Sequence, residues 1–255
     1  MTPPALGLQL YTVRASGLPL EALLAAVADA GYAGVETVGL QEVAPERLRD
    51  ALADAGLTLA SAHVQLASLR DDLPGLVAAH RAAGTPLLVV PWLDPADRPT
   101  DLAGWRALGR ELDGYGRALA DEGLALAYHH HDFELAPVDG GDGLTALLEA
   151  AAPEHLTLEL DTGWWVVVGR DPVAGLRAWG RRVRRLHLKD VVVRQDPPWV
   201  DVGDGTLDLA GVLAEARALG VPWALVEHDE PRDPLQTIRR SAAAVRGQIE
   251  RSRSA

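Results

Sequence analysis

One unit recurs along this chain: an Ala- and Leu-rich amphipathic stretch, a glycine, then a short apolar run. Gly31 precedes YAGVE and Gly56 precedes LTLASAH; Gly84 leads into PLLVVPW, Gly123 into LALAYHHH and Gly220 into VPWALVEH. A glycine suits the left-handed position just past a helix C-terminus, so each unit reads as helix, cap, strand. A period of 3.6 residues predicts helices over 20–30, 45–55, 102–122, 207–219 and 234–249, with less regular patterns over 73–83, 144–151 and 172–179. The apolar runs predict strands over 6–11, 34–37, 57–63, 86–91, 124–130, 156–161, 184–188 and 223–227. Strict alternation of strand and helix implies a parallel sheet with right-handed crossovers. Eight such units imply closure, so the expected fold is α/β, a single-domain (β/α)8 TIM barrel over residues 1–255, the usual size for one. A doubly wound open sheet competes, but no G-x-G-x-x-G follows the first strand.

The balance of 24 basic against 36 acidic residues gives a formal charge of −12, which disfavours a nucleic-acid surface built on Lys and Arg, and an anionic membrane. With no cysteine, a disulfide scaffold, a thiolate metal site and a Cys nucleophile are excluded. The first residues, MTPPALGLQLYTVR, lack a basic segment followed by a long apolar one, and the expectation is a soluble, cytoplasmic protein.

Several apolar runs end abruptly in side chains that ligate metals. LALAYHHHDFEL carries three histidines, Asp132, the only phenylalanine (Phe133) and Glu134. LTLELD ends at Asp161, RRLHLKD reaches His187 and WALVEHDE reaches Glu227. Parallel barrel strands all end on one face, where active sites of this architecture sit. Glu134, Asp161, His187 and Glu227 are therefore expected to converge from strands five to eight. Taken singly, Asp161 or Glu227 is an ordinary surface or capping carboxylate, and His187 is as well read as a satisfied core histidine. Their joint placement at ends of one face favours a site. Three carboxylates in one pocket repel unless one takes a proton or a cation joins them. This oxygen-rich set suits one divalent ion, Mn²⁺ first, with Mg²⁺, Co²⁺, Fe²⁺ or Zn²⁺ as alternatives.

A second tier consists of Gln9, Glu36, His63, His129 and His131, expected to bind substrate hydroxyls or to orient ligands. Lys189 shares the parity of His187 and is expected at the substrate, while Glu159 reads as structural support paired to Lys189 or Arg185. Trp92 and Trp164 offer flat apolar walls of the kind sugars use, or else core packing. The stretch 191–206 is long for a βα connection and rich in Pro, Gly and Asp, as a lid over the barrel mouth would be.

GLQLYTVR, SAHV, VVPW, YHHHDFE, LELDTGWW, LHLKD, VGDGTLD and VEHDE, in this order, resemble the sugar phosphate isomerase/epimerase superfamily of xylose-isomerase-like TIM barrels, in its sugar-epimerase-like branch. The resemblance covers essentially the whole chain. It implies the four metal ligands reached above, with Glu134 and Glu227 as a catalytic acid/base pair. It also implies a small carbohydrate substrate and a homodimer as a candidate assembly. One departure is Trp164, which stands where the superfamily's ketose 3-epimerases carry a histidine in LDT-x-H. The expected substrate is therefore a related keto-sugar, an inosose or an oxidised glycoside rather than a free ketohexose. The implied reaction is isomerisation or epimerisation by proton transfer through a metal-stabilised enediolate. Alternatives are elimination at the same site, as in an inosose dehydratase or a 3-keto-glycoside lyase, and a non-catalytic sugar-binding barrel.

Overall fold

The structure is a computed structural model that describes residues 2–254. Eight parallel strands close into a ring: β1 (Ala5–Gln9), β2 (Gly34–Val38), β3 (Thr58–His63), β4 (Leu87–Val90), β5 (Ala125–His129), β6 (Thr157–Asp161), β7 (Val183–Leu188) and β8 (Trp223–Val226). Each strand pairs with its neighbours in sequence, and β1 meets β8 with Ala5 opposite Trp223. The fold is a (β/α)8 barrel, and the eight expected strands are its staves.

The surrounding helices are α1 (Leu20–Asp29), α2 (Pro45–Asp54), α3 (Leu66–Asp71), α4 (Leu73–Ala83) and α5 (Leu102–Asp121). They continue as α6 (Gly143–Glu149), α7 (Thr162–Val167), α8 (Pro172–Trp179), α9 (Leu209–Leu219) and α10 (Pro234–Ser254). Gly84 closes α4 at φ +77° and Gly220 closes α9 at φ +73°, as the helix–cap–strand reading requires. The short α3 and α7 were not anticipated. Each turns the chain over the rim directly after a strand, and Asp161 starts α7 by accepting the Trp164 N–H at 3.0 Å.

Strand residues alternate between two faces. Leu8, Val35, Leu88, Leu126, Leu158, Leu186 and Ala224 belong to the main buried cluster with the helices, whereas Leu87, Val89 and Ala127 form a small cluster of their own inside the ring. The rest of the interior is polar: Gln9, Glu36, Ser61, His63, His129, Glu159, Arg185 and His187 are all buried. At the opposite end, Gly7 and Gly34 leave room for the Trp223 indole, which a Cβ at Gly34 would approach to 2.7 Å. Outside, α5 lies close on its neighbours because Gly109 and Gly116 face the carbonyls of Leu147 and His155, which a Cβ would meet at 2.1 and 1.9 Å.

The stretch 191–206 folds back on itself. Asp190–Val191 pairs antiparallel with Trp199–Val200. The buried Asp190 carboxylate accepts the backbone N–H groups of Val191, Gly203, Gly205 and Leu207 at 2.8–3.1 Å, pinning the loop at its base. No helix among the described residues is long and apolar enough to cross a membrane.

Candidate metal centre

At the C-terminal ends of β5 to β8, His129, Asp161, His187 and Glu227 each offer one ligand atom, and all four atoms lie within 4.8 Å of one another. Three of these belong to the set expected from the sequence. Glu134 does not join them. Strand β5 stops at His129, and the chain turns so that Glu134 accepts Tyr128 Oη–H at 2.7 Å and His131 N–H at 2.8 Å. Burial pushes its carboxyl up to about 7, against those two bonds. The place expected for Glu134 falls to His129, which the sequence reading had put among the substrate contacts. Its signal was available: His129 has the inward parity of Ala127.

His187 organises the group. Its Nδ1 lies 3.1 Å from Glu227 Oε2 and 3.9 Å from Asp161 Oδ2. Its Nε2 lies 2.7 Å from Glu36 Oε1 and 3.2 Å from Glu159 Oε2. Burial works against its charge, but Glu159, Glu227 and Glu36 hold it well above the ordinary histidine value. His63 behaves alike. Its Nε2 stands 2.9 Å from Glu36 and 3.0 Å from Glu159, and despite burial it is raised to about 9. His129 lies well below the ordinary value, through burial and the positive charge of His187. It is a neutral imidazole, the form that binds metals.

Lys189 is 1% exposed, and its ammonium sits 2.8 Å from Glu227 Oε2, 2.9 Å from Asp229 Oδ1 and 3.4 Å from Asp161 Oδ2. The stem fits because Gly163 has no Cβ; one there would come within 2.7 Å of it. Burial raises Asp161 to about 6 against the pull of Lys189 and His187. Glu227 is held well below the usual carboxylate range, Lys189 and His187 outweighing its burial.

The donors fit a divalent cation. They are two imidazoles and two carboxylates, and the nearby Asp161 Oδ2 and His129 Nδ1 are buried without a hydrogen-bond partner. Both stand within ion-pair range of a neighbour, 3.4 Å to Lys189 and 3.2 Å to Glu159, but in poor alignment for a hydrogen bond. Behind the group, His130 Nε2 accepts Asp161 N–H at 3.1 Å and Trp165 Nε1–H at 3.0 Å, fixing the backbone that carries Asp161.

Above this floor opens a cavity of about 570 Å³ whose walls include His63, Trp92, His129, His131, Trp164 and Glu227. Gln9 and Glu36, expected to bind substrate hydroxyls or to orient ligands, and Lys189, expected at the substrate, are not in its walls. Gln9 and Glu36 lie beneath, where Gln9 Nε2 donates to Glu36 Oε1 at 2.7 Å and Glu36 Oε1 stands 2.7 Å from His187 Nε2, whereas Lys189 is held by carboxylates beside the mouth, its ammonium 4.8 Å from the Trp199 ring centre. Glu159, expected opposite Lys189 or Arg185, bonds to the histidines above it. Sequence reading missed Arg14, Trp199, Asp229 and Glu230, which also line the cavity. Asp229 was legible, since it repeats the inward parity of Glu227, whereas Trp199 arrives only through the folding of its loop.

A family model described as xylose isomerase-like TIM barrel matches residues 24–248. The chain belongs to that family. Its motifs had resembled the same xylose-isomerase-like barrels. It is 28% identical over 151 residues to the inosose dehydratase of Clostridium tetani, covering 52% of this chain and 49% of that protein. This chain thus matches about half the length of that relative. It is 27% identical to the rhizopine catabolism protein MocC of Rhizobium meliloti, over 86% of this chain and 76% of that one. A solved sugar phosphate isomerase/epimerase from Parabacteroides distasonis superposes with a TM-score of 0.83 at 20% identity, covering 98% and 96% of the two chains, and so shares the fold.

Proposed function

We propose that this family member is a metal-dependent, sugar-modifying enzyme that moves a proton next to the carbonyl of a keto-sugar or related polyol ketone. The observation that carries the reading is the meeting of His129, Asp161, His187 and Glu227 within 4.8 Å beside the mouth cavity. A divalent cation held by these residues, Mn²⁺ being our first choice, supplies Lewis-acid polarisation of the substrate carbonyl. His187 and Asp161, fully buried and outside the cavity wall, would serve only to hold that cation. Glu227, whose carboxylate reaches the cavity wall, takes the proton from the adjacent carbon and leaves an enediolate. Its partner in proton return is His63 or His131, both in the cavity wall. Glu134 has both oxygens engaged away from the cavity and is not carried forward as that partner. Return of the proton to the opposite face of the carbon gives an epimer, and return to the neighbouring carbon gives an isomer.

A second reading has a specific support, the similarity to inosose dehydratases. There the enediolate expels a β-hydroxyl, which leaves as water after taking a proton, and the product is an enone or its tautomer. Solvent deuterium exchange at the carbon next to the carbonyl tests both. Exchange that requires metal and disappears in Glu227→Gln is expected. Undiminished exchange in that variant would exclude Glu227 as the base. Mass loss of one water separates elimination from epimerisation.

A further inference from the structure

Four large hydrophobic side chains are exposed among the described residues: Tyr11 (40%), Val38 (41%), Trp92 (40%) and Val193 (53%). Scattered singly over a surface such residues mean little, but three of these four, Tyr11, Val38 and Trp92, line the cavity that opens over the candidate metal centre, Tyr11 and Val38 also edging a neighbouring groove. They sit at or just beyond the ends of β1, β2 and β4, on the rim. Two are braced. The Arg14 guanidinium lies 3.7 Å over the Tyr11 ring and donates to the carbonyls of Tyr11 and Asp229. Trp92 stands edge-on to His131 and Phe133, at 4.8 and 5.3 Å between ring centroids, with Arg98 at 4.4 Å over its ring. Rigid aromatic plates of this kind take up flat apolar faces with little loss of conformational freedom.

We propose that this rim is an outer subsite for an uncharged ring with an apolar face, and that the substrate is glycosidic, its distal ring on Tyr11, Val38 and Trp92. The proposal rests on the reading above, in which the reacting ring occupies the metal centre. The cavity of about 570 Å³ extends from His129 and Glu227 to these rim residues, so a single reacting ring leaves the aromatic rim uncovered. Charge at the rim disfavours a phosphorylated sugar. Asp229 and Glu230 line the cavity there, against Arg14 as its single Lys or Arg, and that guanidinium is engaged with Tyr11 and two carbonyls, while the cationic His63 lies deeper, against Glu36 and Glu159.

The test is calorimetric titration of the metal-loaded full chain with four probes locked as O-glycosides, so that none has a carbonyl to react: phenyl β-glucoside, and the methyl glycosides of cellobiose, glucose and glucose 6-phosphate, named below by their sugars. The two-ring probes are expected to bind at least about five-fold tighter than glucose, with glucose 6-phosphate weakest. Comparison of phenyl glucoside with cellobiose tells whether the distal ring is an aromatic aglycone or a second sugar. Trp92→Ala and Tyr11→Ala should each remove about five-fold of the two-ring affinity and leave glucose unchanged, while Trp92→Phe retains most of it. Equal binding of glucose and the two-ring probes, or loss of both alike in the variants, would overturn the subsite. These readouts need no turnover. Two-ring preference without deuterium exchange in any hydroxy-ketone would defeat the proposed reaction alone, and exchange without that preference would defeat the subsite alone.

Discussion

Replacing Lys189 by Met should make the protein bind divalent metal more tightly while making the metal-free protein less stable. The ammonium lies 2.8 Å from Glu227 Oε2 and 3.4 Å from Asp161 Oδ2, two of the carboxylates assigned to the metal. At an effective dielectric constant of 20, two unit charges 4 Å apart interact by about 4 kcal/mol, so a dication at that distance from the ammonium meets about 8 kcal/mol of repulsion. Lys189 can relieve part of it by leaning on Asp229, 2.9 Å away. Even a small unrelieved fraction, about 1.4 kcal/mol, is ten-fold in the dissociation constant. Methionine keeps most of the stem that fills the space beside Gly163. Without the ammonium, Asp161 and Glu227 lose a buried counter-charge, a loss of the kind that costs about 3–5 kcal/mol. For a chain of this size that is a fall of roughly 6–20 °C in the melting temperature of the metal-free protein. Calorimetric titration of chelator-stripped protein with Mn²⁺, Co²⁺ and Zn²⁺, beside thermal melts with and without ion, measures both. Weaker or unchanged metal affinity in Lys189→Met would show that the ammonium supports the bound ion rather than competing with it.

Removal of Asp161 as Ala should abolish the roughly one metal per chain expected in elemental analysis and the rise in melting temperature on adding the ion. His187 is held protonated by carboxylates on both sides, and a ligand nitrogen must be free of its proton. Metal binding at pH 7 should therefore release about one proton, seen as a heat that varies with the ionisation enthalpy of the buffer. His63 is raised to about 9 from 6.5, so its stabilising charge is complete below pH 6.5 and is lost as pH climbs through 9. Metal-free wild type should lose of order 2–3 kcal/mol of stability across that window. In His63→Gln this loss should be clearly smaller, the remainder coming from the likewise raised His187, as thermal melts from pH 6 to 9.5 would show. Gly116→Ala puts a methyl 1.9 Å from the His155 carbonyl oxygen and should cost about 1–3 kcal/mol by denaturant unfolding, without altering metal affinity.

The barrel was legible because its two periods alternate without interruption. Every glycine-capped helix was followed by an apolar run, and the eight runs became the eight staves with ends shifted by only a few residues. The convergence of the candidate site was legible at the strand ends. The meeting of Asp161, His187 and Glu227 follows from parity alone, since an inward residue at the end of a stave must face the mouth. Glu134 was misplaced because the string HHHDFE does not show where pairing stops. The strand ends at His129, five residues earlier, and beyond it the side chain's direction is set by a turn and by Tyr128. Lys189 had the right parity but another partner than expected, because sequence gives no sign of which of several carboxylates a cation will reach.

The polar interior has an order that accounts for this. Arg185 lies beneath Glu36 and Glu159, which lower its own burial cost in charge, and above them come the cationic rings of His63 and His187. Asp161 and Glu227 follow, then Lys189. Charges alternate in sign from the middle of the barrel to its mouth, and each carboxylate of this column stands against at least one cation. Such a column is already neutralised without a metal. An arriving dication therefore has to replace existing positive charge, a proton on His187 or the ammonium of Lys189. For that reason, proton release on metal binding and the metal affinity of Lys189→Met together report on how the centre fills. Release of a proton with no gain in affinity would identify His187 as the group that yields, and the converse would identify Lys189.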